Sequence, residues 1–185
     1  MAEFDQKLAR RMMRLRQDRG LSLEAVSEAT GVSRATLSRI ERAETSPTAA
    51  TLGLLAHAFE VSMADLFAYD DGVAEALVAR DQQEVWMDPE TGFVRRNVSP
   101  SQPGYRGSIV EGEIPAGQTV AYAKPPLPDL EHHVVALSGT LKVTLAEGDE
   151  TLRPGDCLRF RLNHGNAFTA LGPHPARYLI CVVMP

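Results

Sequence analysis

Cysteine, long apolar runs and net positive charge are all scarce in this chain of 185 residues. Its two cysteines, Cys157 and Cys181, have no metal-knuckle spacing, which excludes a zinc ribbon, and they fit a reducing compartment. Both fall in apolar, strand-like segments, where they are expected as buried packing residues. No apolar stretch approaches the roughly 20 residues that a membrane-spanning helix needs. The first residues are charged and lack the continuous apolar segment of a secretory leader, so the expected location is the cytoplasm, with no membrane partner. The only tryptophan, Trp86, is expected to anchor a core or an interface rather than to form a ligand platform.

The formal net charge of −5 argues against the whole protein coating nucleic acid. The charge is unevenly spread, however. Residues 5–46 hold nine Lys/Arg against six Asp/Glu, whereas residues 68–185 hold ten against fifteen. A local positive patch is all that phosphate contact requires.

That patch surrounds the most informative stretch, residues 21–46. Ser22 is placed to cap one short helix, and Gly31 to end it by accepting a positive φ. Val32 follows as an apolar plug, and Ser33 is placed to cap a second helix buried through Leu37 and Ile40. The other face of that helix carries Arg34, Ala35, Thr36, Ser38, Arg39 and Arg42. Small polar and guanidinium side chains near a helix N-terminus suit major-groove readout. Upstream, Leu8, Met12 and Leu15 predict a helix over 4–18, decorated with arginines. Downstream, Pro47 is expected to start a fourth helix bearing Leu52, Leu55, Ala56 and Phe59. Ser62 is expected to cap a fifth helix that ends at Leu66-Phe67.

Over roughly residues 5–67 the sequence resembles the Xre-type, lambda-repressor-like helix-turn-helix family. The matching residues are Leu21-Ser22, Val26-Ser27, Gly31-Val32-Ser33, Leu37-Ser38, Ile40-Glu41, Pro47, Leu52, Leu55-Ala56, Val61 and Leu66. The resemblance implies a five-helix DNA-binding head in which an arginine of the first helix pairs with Glu41. Two positions depart from it: Ser27 stands where Ala is common, and Ala43 where Gly is common, which puts the turn after the second helix of the motif in question.

From residue 84 the period becomes strand-like. Runs at 84–87, 92–98, 108–114, 118–123, 134–137, 140–145, 157–162 and 178–183 are separated by turn residues, giving eight or nine strands and a small β-barrel or jelly roll. The expected division is 1–67 head, 68–83 linker and 84–185 β-domain. Residues 73–78 read equally as a short helix or a loose linker.

Residues 107–185 resemble a cupin domain through Glu131-His132-His133 followed by an apolar strand and Gly139, and through Arg153-Pro154-Gly155-Asp156. The fold class is thus α + β with two domains: a helix-turn-helix head and a cupin jelly roll. By this resemblance, His132 occupies the position of a ligating Glu and Asn166 that of a ligating His. The ligand set of metal-binding cupins is therefore incomplete. His132, His133 and His164 remain the candidates for a metal, and an organic ligand bound without metal or other cofactor is the favoured expectation.

Candidate pocket residues are Glu131, His132, His133, His164 and Asn166, with Tyr105, Tyr122, Phe168 and Tyr178 as walls. Arg159 and Arg161 alternate with Leu158, Phe160 and Leu162 and are expected to face away. The leading expectation is a transcriptional regulator and not an enzyme. Ser33, Arg34, Ala35, Thr36 and Arg39 would face bases, Ser38 would belong to the same DNA-binding face, and Ser22, Arg42, Thr45 and Ser46 would hold phosphates. Its partners would be a palindromic duplex operator, a small-molecule effector and a second copy of the chain. The alternatives are a metal-dependent cupin enzyme of epoxidase or dioxygenase type whose head does not read DNA, and a phage or toxin–antitoxin regulator that binds a protein partner.

Overall fold

The computed structural model describes residues 2–68 and 76–185. Five helices come first: α1 Ala2–Asp18, α2 Leu23–Thr30, α3 Arg34–Glu41, α4 Ala49–Ala58 and α5 Met63–Leu66. Four of them begin at a hydroxyl cap. Ser22, Ser33, Thr48 and Ser62 each accept from the backbone N–H three residues on, satisfying donors that the helix leaves unpaired. At Ser62 the cap is reciprocal, because Asp65 accepts in turn from the Ser62 N–H at 2.9 Å. Pro47 lies one residue before the Thr48 cap rather than inside α4, since the Thr48 hydroxyl takes the N–H of Thr51.

The helices bury Leu8, Met12, Leu15, Val26, Leu37, Ile40, Leu52, Leu55 and Phe59, the apolar stripes that the 3.6-residue period predicts. No described helix is long and apolar enough to cross a membrane.

Ten strands follow: β1 Val85–Met87, β2 Val94–Ser99, β3 Gly107–Ile114, β4 Thr119–Tyr122, β5 Leu130–Ser138, β6 Thr140–Leu145, β7 Gly148–Leu152, β8 Cys157–Leu162, β9 Asn166–Leu171 and β10 Ala176–Val183. They form a six-stranded sheet in the order β1-β2-β3-β10-β5-β8 and a four-stranded sheet in the order β4-β9-β6-β7. All pairings are antiparallel. Apart from the β6–β7 hairpin, which stays within the four-stranded sheet, the last eight strands alternate between the sheets as in a jelly roll, and β1 and β2 widen the other sheet.

Two of these strands, β7 and β9, were not expected. β7 is polar and exposed at four of its five positions, so it lacks the alternation that marks a half-buried strand. Residues 76–84, between the halves, form neither helix nor strand, and 73–75 of the ambiguous segment lie outside the described residues.

The helical and β halves share one continuous core. Trp86 is its hinge pin: its ring packs on Phe67 at 6.0 Å and edge-on to Phe93 at 6.3 Å, and its indole N–H donates to Ser46 Oγ at 3.2 Å. Buried Asp88 accepts the N–H of Ala49, the first residue of α4, at 2.9 Å, so a carboxylate of the β half sits at a helix N-terminus of the head. His57 Nδ1 donates to Pro125 O at 2.7 Å. The cysteines depart from expectation. Cys157 is exposed and Cys181 half-buried, because each takes the outward parity of its strand.

Candidate functional site

Two places in the molecule have functional character: the outer face of α3 and a cavity inside the jelly roll. On α3, Leu37 and Ile40 are buried, which turns Arg34, Ala35 and Arg39 outward and leaves Thr36 and Ser38 half-exposed. Gly31, at φ 74, makes the tight turn that sets α3 across α2. The helix ends with Ala43 N–H on Ile40 O and Glu44 N–H on Arg39 O, both at 2.9 Å. Ala43 adopts φ 55 there. The turn keeps the glycine-type geometry without the glycine, at a local cost of about 1–2 kcal/mol.

Arg16 holds α3 from behind. Its Nε and Nη2 donate to the two oxygens of Glu41 at 2.6 and 2.9 Å, and its Nη1 donates to Leu21 O at 2.8 Å. The arginines of the exposed face are paired more loosely. Arg34 meets Glu24 at 2.5 Å, and Arg42 meets Glu44 at 2.7 Å and Ser38. These pairs lie in water and hold the side chains only weakly. Among the described residues the Arg39 side chain makes no hydrogen bond or ion pair, and it meets Glu44 only through space. Ser22 and Ser33 are exposed, and Thr45 is half-buried. Ser46 already accepts from Trp86, which leaves its own O–H as a donor.

The cavity, of ≈ 60 Å³, lies between the two sheets and is roofed by Gly53 of α4 with Met63 and Ala64 of α5. Five of the nine expected pocket residues line it: Tyr122, His132, Asn166, Phe168 and Tyr178. The other four lie elsewhere. Glu131 and His133 flank His132 on β5 and so face outward, where His133 Nε2 stands 2.7 Å from Glu131 Oε1. His164 is exposed in the turn before β9, and Tyr105 is 70% exposed in the loop before β3. The three histidines therefore do not converge, and no group of metal-ligating side chains is found among the described residues. Arg159 and Arg161 point outward, as the alternation of β8 predicts.

Residues not anticipated complete the cavity, above all Arg95 of β2, which is 7% exposed. The signal was the two-residue period, which sets Arg95 on the buried face with Phe93 and Asn97. Its guanidinium lies 4.7 Å over the ring of Phe67. Burial lowers the pKa of Arg95 from its usual value, and the nearby Tyr122 and Tyr178 oppose that shift. Burial pushes the His132 pKa down to about 4, with Arg95 adding to the effect, so the ring is neutral at pH 7. Its Nδ1 has no hydrogen-bond partner among the described residues. Tyr122 is part-exposed along its length but buries its phenol, which desolvation pushes up to about 12. Tyr178 is raised by the same cause. The Tyr178 ring stacks on Phe168 at 5.4 Å and lies across Gly112, where a Cβ would come within 2.4 Å of it.

Residues 12–66 match the helix-turn-helix family model HTH_3. The HTH-type transcriptional regulator SutR of Escherichia coli is 29% identical over 153 residues, covering 83% of this chain and 81% of that protein. The HTH-type transcriptional regulator DdrOP3 of Deinococcus deserti is 39% identical over 90 residues, 46% of this chain and 69% of that protein. The crystal structure of an HTH_3 family transcriptional regulator from Vibrio cholerae superposes with a TM-score of 0.79 at 26% identity, covering 100% of this chain and 98% of that one. With its capped α2–turn–α3 unit and these likenesses, the chain belongs to the helix-turn-helix family, of the Xre-like class, and carries a two-sheet jelly roll behind the head.

Proposed function

We propose that the chain is a DNA-binding transcriptional regulator, in which residues 1–67 read duplex DNA and residues 84–185 hold a small-molecule effector, with 68–83 between them. The observation that carries this reading is α3 itself. It is capped at Ser33, buried through Leu37 and Ile40, and lined on its outward side with Arg34, Ser38, Arg39 and Arg42. Arg34 and Arg39 are the residues for bidentate contact with guanine O6 and N7, worth about 1–3 kcal/mol of discrimination each. Ser33, Ala35 and Thr36 line the same approach, and Ser22, Arg42, Thr45 and Ser46 hold phosphates and fix register.

One head of this size buries too little DNA for tight binding, so two copies act on a palindrome. The effector acts through the cavity roof. Gly53, Met63 and Ala64 belong to the head yet border the cavity, so a ligand there bears directly on α4 and α5. Arg39→Ala tests the reading. Affinity for the operator in a gel-shift titration is expected to fall about tenfold or more, with helical circular dichroism and melting temperature unchanged. Unchanged affinity removes Arg39 from the reading face.

A further inference from the structure

The guanidinium of Arg95 is buried in the middle of the molecule, and none of the described residues accepts a hydrogen bond from its Nε or Nη2. A guanidinium does not shed its proton, so this is a fixed positive charge out of water. Its π face is occupied by Phe67. The Nε–Nη2 edge is the one that matches a planar carboxylate. The same chain uses that edge twice elsewhere: Arg16 on Glu41 at 2.6 and 2.9 Å, and Arg42 on Glu44 at 2.7 and 3.0 Å.

Among the described residues no Asp or Glu lines the cavity, and its other cationic side chain is Lys124. An ammonium group entering there would meet like charge on the lining. Apart from these cations, the polar groups are neutral His132, Asn166 and the two phenols, and most of the remaining wall is apolar. At about 10–15 Å³ for each water-sized position, ≈ 60 Å³ accommodates only a few non-hydrogen atoms.

From the buried, unpaired edge of Arg95, we infer that the cavity takes a short-chain carboxylate, bound side-on by Arg95 with its apolar tail against Val110, Leu130 and Ile180. This deepens the sensor reading and rests on it only for the consequence at DNA, because the binding itself is measured on the free protein.

The experiment uses the full chain in thermal-shift and calorimetric titrations. The probes are acetate, propionate, isobutyrate and valerate, each set against its uncharged amide and the corresponding amine, together with sulfate, phosphate and methanesulfonate. One or more carboxylates are expected to raise the melting temperature with concentration, and their amides to bind about tenfold or more weakly. Arg95→Met is expected to fold, because an apolar residue of similar size replaces an unpaired buried charge, and to lose the carboxylate response. Amides equal to carboxylates, a response only to the tetrahedral anions, no response to any probe, or full carboxylate binding by Arg95→Met would each overturn the inference. If Arg95→Met does not fold, the carboxylate–amide comparison on the unsubstituted protein decides alone. Carboxylate binding without any change in operator affinity leaves this assignment standing and removes the sensor reading. Operator recognition without carboxylate binding does the reverse.

Discussion

The ring of Tyr122 rests against the α-carbon of Gly53, so close that a Cβ at position 53 would stand 2.9 Å from Tyr122 Cδ1. Gly53 belongs to α4 of the head, Tyr122 to β4 of the jelly roll, and both line the cavity. Two effects oppose each other in Gly53→Ala. Alanine in a helix interior is favoured by about 0.5–1 kcal/mol, whereas forcing a methyl into a packed contact costs about 1–3 kcal/mol. Packing wins, and the expected result is a net loss of about 1 kcal/mol in urea denaturation, accompanied by altered coupling between cavity and DNA. A more stable Gly53→Ala protein would show that the contact yields easily and does not transmit.

Glu41 and Arg16 make the tie that holds α3 against α1, and both side chains are largely shielded, at 13% and 14% exposure. Removing the carboxylate leaves the guanidinium with Leu21 O alone. Glu41→Ala is expected to destabilise the protein by about 2–3 kcal/mol, read from the midpoint of helical circular dichroism in urea. Glu44→Ala breaks a solvent-exposed pair with the same geometry and is expected to leave the midpoint where it was. Equal effects of the two substitutions would contradict this account of burial.

His132 gives a pH signature. Its pKa in the folded protein is about 4, below the value of about 6.5 for an unfolded chain. As pH falls, the unfolded chain takes up the proton first. The contribution of this group is therefore intact above about pH 6.5 and is lost on the way down towards pH 4, about 3 kcal/mol in total. Urea midpoints measured without effector between pH 7 and pH 4.5 are expected to fall more steeply for the native sequence than for His132→Asn. Parallel slopes would place the His132 ring in contact with water.

Much of the fold was legible because it obeys local rules. The caps at Ser22, Ser33 and Ser62, the turn at Gly31 and the stripe through Leu37 and Ile40 are set by short-range geometry that the sequence spells directly. The cavity was half legible. His132, Asn166 and Tyr178 sit on inward-facing positions of strands and line the cavity. Glu131 and His133 were grouped with His132 by sequence neighbourhood, but a strand sends neighbours to opposite faces. Arg95 was missed because an arginine at an inward position contradicts the usual expectation that charge stays in water. Gly53, Met63 and Ala64 were missed because the packing of the head over the cavity is a tertiary fact with no local pattern.

Whether the face bearing Arg39 reads duplex DNA is decided by selection with the purified full chain from a randomised duplex library at about 150 mM salt. Enrichment of one motif with two-fold symmetry and half-sites about 10 base pairs apart is expected, with loss of that enrichment in Arg39→Ala. Recovery of no preferred sequence, or an identical motif and yield from Arg39→Ala, would contradict a reading role for that face.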